Sequence, residues 1–346
     1  MAMSMAVLKK CFWFCVALAL SAWPAGAQPI DVWLDVDPAS GIGEVDDGLA
    51  MIQAFHSPEL HVRGMSVVFG NSPLKYGHPL AVNLTRSFGP AQLQIYPGAA
   101  SAEELGQTNP AVEAMAQALT ERPMTILALG PATNVGSLLK LHPRLHGRID
   151  RIVLVAGRRP GQRFAYREDQ ELGFRDFNFE LDPQAVRVIL QSRIPLVLAP
   201  WEVSSKVWLT EQDLAQLRDT GDTGRFIYQT THHWFDRWEQ GVGRRAFNPF
   251  DSLAVGFVTH PQLIDAIPVH AWIEDLPDDG SKSTQAIKPY LLVRPIEADV
   301  QTQSSQQQAH EHKILFCTTA SGAFHRLLMQ RLGRPDTPTQ GTIHAE

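Results

Sequence analysis

The run Ile30-Asp31-Val32-Trp33-Leu34-Asp35-Val36, closed by Asp37-Pro38, decides the fold. It is mostly apolar and rich in β-branched and bulky residues, as expected of a strand covered on both faces. It stops in acid and proline, a common turn opening. A helical pattern follows at 47–55, and the alternation then repeats. Strand-like runs lie at 62–69, 93–96, 124–129, 151–156 and 195–199, with helical patterns at 111–120, 134–141 and 183–191. The last of these opens on Asp182-Pro183, an N-cap followed by a first-turn proline. Such alternation predicts an α/β fold: an open, mostly parallel central sheet with helices on both faces. Beyond Thr210 helical patterns dominate, at 211–217, 224–240 and 251–258. The final part carries short strands at 269–273, 290–293 and 313–316, a Gln- and Ser-rich stretch at 301–309 that reads as a mobile loop, and a closing helix at 324–332. Neither a repeat nor a linker interrupts this order, so residues 28–346 read as one domain.

Composition narrows the function. The chain has 346 residues, 44% hydrophobic and 19% charged, enough for a large buried core. Its formal charge of −6 argues against nucleic acid as the main partner, because no basic footprint for phosphates is present. Residues 1–27 read as a secretory signal peptide: basic Lys9 and Lys10, an uncharged apolar run from Cys11 to Trp23, and Ala25-Gly26-Ala27 before Gln28. The apolar run is short for a membrane span, so a periplasmic or secreted protein, free of the membrane after cleavage, is expected. Cleavage removes two lysines and no acid, moving the charge from −6 to −8. It also removes Cys11 and Cys15, leaving Cys317 in the apolar run Ile314-Leu315-Phe316, where a buried inert thiol is expected.

In an open parallel sheet, ligands bind beyond the carboxyl ends of the strands. The residues there are oxygen-bearing: Asp35, Asp37, Glu44, Asp46 and Asp47 after the first strand, Asn71 after the second, and Thr133 and Asn134 after the fourth. Asp176, Asn178, Glu180 and Asp182 follow well after the fifth, and Asp251 opens the late helix. Singly, each has a plainer role: Asp46 and Asp47 as helix N-terminal acids, Asn71 as a turn residue, Asp251 as an N-cap. Together they would repel one another without a cation, shared protons or hydroxyl donors. No Cys or His cluster offers a zinc site. A set of oxygens suits calcium, which takes roughly 6–8 of them.

These residues carry a resemblance. Asp35-Val36-Asp37-Pro38 followed by Asp46-Asp47-Gly48-Leu49-Ala50 resembles the D-x-D-P-G-x-D-D-A motif of the calcium-dependent nucleoside hydrolases. Phe69-Gly70-Asn71, Leu129-Gly130-Pro131-Ala132-Thr133-Asn134, Asp176-Phe177-Asn178-Phe179-Glu180-Leu181-Asp182-Pro183 and Phe250-Asp251-Ser252-Leu253-Ala254 resemble the family's later blocks, in the same order. The resemblance implies hydrolysis of the N-glycosidic bond of ribonucleosides to base and ribose, with a calcium-bound water activated by Asp37. It implies Asp37, Asp47 and Asp251 as carboxylate ligands of Ca2+ and Thr133 as a ligand through its backbone carbonyl. Asp46, Asn71, Asp176 and Asn178 would hold the ribose hydroxyls. The partner would be a small-molecule nucleoside, and relatives are commonly dimers or tetramers.

The chain departs from the family pattern in four places. Residues 39–45 separate Pro38 from Asp46, where the motif has two residues. Asp176 replaces a glutamate, and Phe250 replaces a histidine that in part of the family assists departure of the base. The segment 157–175, with Arg158, Arg159, Arg163, Arg167, Arg175, Glu168, Asp169 and Glu171, reads as a lid or, by its charge, as a solvated surface loop. In the pattern 224–240, Tyr228 and His232 share a helix face and face either the base or the core. Two other readings compete. A haloacid dehalogenase-type phosphatase would use Asp35 as nucleophile and Asp37 as acid/base, and would release phosphate. A non-catalytic nucleoside- or sugar-binding protein on the same scaffold would release nothing.

Overall fold

A computed structural model describes residues 28–39, 44–170, 172–280, 286–296 and 313–334. The leader-like segment, the Gln- and Ser-rich stretch and Glu171 lie outside the described residues. One nine-stranded sheet organises the chain, in the order β3-β2-β1-β4-β5-β6-β11-β9-β10. The strands are β1 (Ile30–Val36), β2 (Leu60–Val67), β3 (Ile95–Pro97), β4 (Met124–Ala128), β5 (Ile149–Leu154), β6 (Leu196–Leu198), β9 (Ile264–Pro277), β10 (Ile287–Pro295) and β11 (Ile314–Ala320). From β3 to β11 every pairing is parallel. β9 then runs antiparallel to both β11 and β10. A small separate ribbon pairs β7 (Leu209–Thr210) with β8 (Ala246–Phe247).

Alternate residues of each central strand feed the two faces. Trp33 and Ile126 pack with α3 (Pro110–Glu121), α4 (Thr133–Leu141) and α6 (Pro183–Ser192). Leu34 and Leu127 pack with α1 (Asp46–Phe55), α2 (Leu74–Phe88), α11 (Ser252–Thr259) and the last helix, α12 (Gly322–Leu332). Both faces are therefore dry, which explains the uninterrupted apolar runs. A third cluster lies under α8 (Glu211–Arg218), α9 (Asp222–Thr231) and α10 (Trp234–Val242). The patterned segment 224–240 is thus two helices, parted at His232-His233. Helix α2 has no counterpart among the sequence expectations. It contains Pro79, which removes a ladder hydrogen bond, and it is held by the buried residues Gly77, Ala81, Leu84 and Thr85. Cys317 is buried, and burial pushes its thiol up to about 12. Among the described residues no helix is long and apolar enough to cross a membrane.

The topology places the site. The chain leaves β1 toward β2 and β3, then returns to pair β4 on the other side of β1. That reversal opens a crevice beyond the ends of β1 and β4, the usual ligand position in such a sheet. Asp35 sits opposite Ser66 on one neighbour and Ala128 on the other. Asp37 is the second residue beyond it.

Candidate active site

Asp37 lies at the floor of the crevice and is 1% exposed. Its Oδ2 accepts the Asn71 backbone N–H at 2.7 Å. Its own N–H donates to Asp47 Oδ1 at 2.9 Å, and Asn71 Nδ2 donates to Asp47 Oδ2 at 3.3 Å. Two glycines make room for the carboxylate. A Cβ on Gly70 would lie 1.9 Å from Asp37 Oδ2, and one on Gly130 2.6 Å from Asp37 Oδ1. Asp37 Oδ1 finds no hydrogen-bond donor among the described residues, although it is buried. An orphaned carboxylate oxygen is costly, so it marks a place where a ligand is expected.

Carboxylates crowd this floor. Oxygens of Glu44, Asp46 and Asp47 lie within 4.8 Å of one another. Asp251, the residue before α11, is 3% exposed. Burial raises its carboxyl well above the ordinary range, and Asp46, Asp47, Asp37 and Glu44 push the same way. Burial and then Asp47 raise Asp37, and burial and then Asp46 push Asp47 up to about 7. Five acids, four from residues 37–47 and one from the start of α11, thus share one low-dielectric space with too little positive charge. A hard divalent cation with oxygen ligands relieves that repulsion, and the donor set fits one.

The opposite side of the crevice comes from the chain after β5. Asp176 accepts the Gly157 N–H at 2.9 Å through Oδ2, and burial pushes its carboxyl up to about 6. Asn178, on the short helix α5 (Phe177–Leu181), donates through Nδ2 to the Leu129 carbonyl at the end of β4 and to the Val155 carbonyl at 3.4 Å. Asp176 and Asn178 line the same cavity as Asp46, Asn71 and Asp251. Five of the sequence-derived positions therefore converge there, and Asp37 and Asp47 lie behind Asn71, which hydrogen-bonds to both.

Thr133 does not join them. It is the first residue of α4, where its carbonyl points down the helix ladder, and its Oγ1 donates to Asp182 Oδ2 at 2.6 Å. The strand-end carbonyl directed at the site is that of Leu129, four residues earlier. Asp35 is also absent from the cavity. It is fully buried, accepting from Ser66 Oγ at 2.5 Å and Asn134 Nδ2 at 2.8 Å, and burial pushes it up to about 7. It pins β1 to β2 and α4 and cannot reach a substrate as a nucleophile, which removes the phosphatase reading.

The cavity is about 370 Å³ and one end of it is aromatic, lined by Phe164, Phe174, Trp201, Trp234, Trp238 and Phe250. Phe164 and Trp201 stack at 4.9 Å between centroids. Tyr166 lies against Phe174, Trp201, Trp208 and Trp238 and donates to Asn248. Phe164, Phe174 and Arg175 thus make part of the segment 157–175 a cavity wall, while Arg167, Glu168, Asp169 and Leu172 are exposed, so the solvated-loop expectation fits only that stretch. Arg158 and Phe164 are each 1% exposed. Arg158 is held by Asp279 at 2.5 Å and stacks over Phe164 at 3.9 Å. Tyr228 and His232 do share a face, with ring centroids 5.2 Å apart, but the cavity is lined by Trp234, Arg237 and Trp238 from the next helix instead. Scattered single aromatics have no spacing signal, so nothing short of tertiary packing picks them out.

The comparisons with known proteins agree with this geometry. A family model described as inosine-uridine preferring nucleoside hydrolase matches residues 32–319. The pyrimidine-specific ribonucleoside hydrolase RihA of Citrobacter koseri is 30% identical over 277 residues, 70% of this chain and 83% of that protein. RihA of Salmonella typhi is 31% identical over 221 residues, 56% of this chain and 67% of that protein. Among solved structures, a plant nucleoside hydrolase superposes with a TM-score of 0.71 at 19% identity, covering 89% of this chain and 100% of that one. A purine-preferring ribonucleoside hydrolase from Gardnerella vaginalis gives 0.69 at 19%, covering 88% and 98%. At that identity the structures speak to the fold.

Proposed function

The chain belongs to the inosine-uridine preferring nucleoside hydrolase family, and from that premise we propose that it hydrolyses the N-glycosidic bond of ribonucleosides to base and ribose, with Asp37 as general base and calcium as the resident cation. The observation that carries the reading is the cradled Asp37 carboxylate: one oxygen held by Asn71, which lines the cavity, the other buried and unengaged, with Asp47 beside it. Asp37, Asp47 and Asp251 would hold the ion, and the Leu129 carbonyl, with a second lone pair to offer, replaces Thr133 as the backbone candidate. When bound, calcium lowers the pKa of water in its shell and offers coordination positions to a ribose diol.

The remaining roles fall to the chain's own groups. Asp37 would take a proton from the attacking water, and its unpartnered Oδ1 supports that role. Asp46, Asn71, Asp176 and Asn178 would hold the ribose hydroxyls and fix the anomeric carbon over that water. The surrounding carboxylates stabilise the positive charge that grows on the sugar ring as the bond breaks. The aromatic end receives the base. Phe250 gives it no proton, and the cavity is also lined by the polar groups of Arg175, Ser204, Arg237 and Asn248. The leader-like residues 1–27 support action outside the cytoplasm, in the periplasm or after secretion.

A reducing-sugar assay on a panel of nucleosides, with calcium and then with chelator, tests the reading. Ribose release that chelator abolishes is expected. Asp37→Ala and Asp47→Ala should each lose on the order of 10²-fold or more. Normal turnover by either variant would falsify the assigned roles. Binding without ribose release would favour the non-catalytic scaffold.

A further inference from the structure

Between Asp37-Pro38 and Asp46-Asp47 the chain carries residues 39–45, longer than the two-residue spacing of the motif it resembles. A longer stretch costs more entropy to close. Yet the acids on either side remain together, with the Asp37 N–H on Asp47 Oδ1 at 2.9 Å. We propose that Glu44 is a positioning residue whose carboxylate clasps the two ends of this stretch and so sets the general base against the acids of α1.

Glu44 Oε1 accepts the Ala39 N–H at 2.6 Å, and Oε2 accepts the Asp47 N–H at 3.1 Å. Ala39 lies two residues beyond Asp37, and Asp47 is the second residue of α1, so a single side chain ties the end of β1 to the start of that helix. The tie also supplies what the helix lacks. The N-cap position of α1 is Val45, which makes no side-chain cap hydrogen bond, and a helix start needs acceptors for its first N–H groups. Glu44, one residue earlier, provides one. It is 5% exposed and stands among like charges, a costly place for another acid unless its hydrogen bonds to backbone compensate. Both of its oxygens are engaged by backbone, whereas Asp37 Oδ1 is left over for chemistry.

Two variants of the full-length chain separate reach from charge. Glu44→Asp keeps the charge but is one methylene too short to bridge both N–H groups. Glu44→Gln keeps the length but turns one acceptor into a donor. In chelator, amide exchange at Ala39 and Asp47 should be about tenfold faster or more in both variants, the loss expected for a charge-assisted hydrogen bond. Calcium affinity measured by calorimetry should weaken about tenfold or more in Glu44→Asp despite its retained charge, and kcat on a nucleoside should fall more than KM rises. Exchange in Glu44→Asp matching the wild type overturns the clasp. Faster exchange with unchanged calcium affinity and turnover overturns the positioning role. The effect on turnover rests on the proposed reaction; the exchange result does not. A wild type that takes up no calcium defeats the metal assignment alone, and the clasp is then judged on exchange.

Discussion

Stripped of its cation, the protein should lose stability as the pH rises from about 5 to 7. Burial pushes Asp35 up to about 7, against the pull of Asn134 and Ser66. Burial and Asp46 push Asp47 to the same value, and Asp37, Glu44 and Asp251 move in the same direction. An unfolded aspartate titrates at about 3.9. Between roughly pH 4 and 7, therefore, the native state holds protons that the unfolded state has released, and stability falls with pH by about 1.36 kcal/mol per unit for each such proton. From pH 5 to 7 one group alone contributes about 2 kcal/mol, a large part of a typical 5–15 kcal/mol total. Calcium should remove the share that belongs to Asp47 and its neighbours, because it offsets their repulsion in place of protons. The Asp35 share should persist, since its rise comes from burial with no carboxylate beside it, and Asp35→Asn should then abolish it. Urea unfolding followed by tryptophan fluorescence, in chelator and in calcium across this range, reads all three effects. Metal-free stability that is flat or increases from pH 5 to 7 would refute the burial of unpaired acids.

Three further outcomes are expected. Asp37→Asn should lower kcat by about 10²-fold or more while leaving the metal-free melting temperature unchanged or raised, because it removes one charge from a repelling group; a clear drop in melting temperature would mark Asp37 as structural. Gly70→Ala should force Asp37 off its cradle, since the new Cβ would sit 1.9 Å from Oδ2. A displacement of this size costs on the order of 10²-fold in rate, and wild-type kinetics would show the carboxylate placed elsewhere. Lys288→Met should cost about 3–5 kcal/mol in urea unfolding, because Lys288, 2% exposed, lies within 3.2 Å of Glu180, Asp278 and Asp279; a loss below about 1 kcal/mol would place those carboxylates in water.

What could be read in advance follows physical locality. Strands buried on both faces show as apolar runs, so β1, β4, β5 and β6 stand close to where their sequences place them. The acids after them declare themselves because carboxylates at several strand ends have few reasons to coincide. Helix α2 escapes because Pro79 and Gly77 spoil its local signal while Ala81 and Leu84 supply the burial. Thr133 misleads for another reason: side-chain identity says nothing about where a carbonyl points, and only the end of β4 directs one, that of Leu129, toward Asn178.

The segment 157–175 shows most clearly how a charge count goes astray. Of its five arginines Arg167 is indeed exposed, but the other four suggest water only while their partners are out of sight. Arg158 pairs with Asp279, Arg159 with Glu202 at 2.8 Å, and Arg175 with Glu180 at 3.0 Å, while Arg163 donates to the Asp279 carbonyl at 3.1 Å. The partners at 202 and 279 lie far along the chain, and the latter sits just past β9, in the antiparallel part of the sheet. Glu180 also accepts the Asp176 N–H at 3.1 Å and Lys288 Nζ at 3.0 Å. A buried ion network thus joins the β9–β10 extension to the residue assigned to the ribose. Charge density in a sequence measures the need for partners, and exposure follows only when the fold provides none.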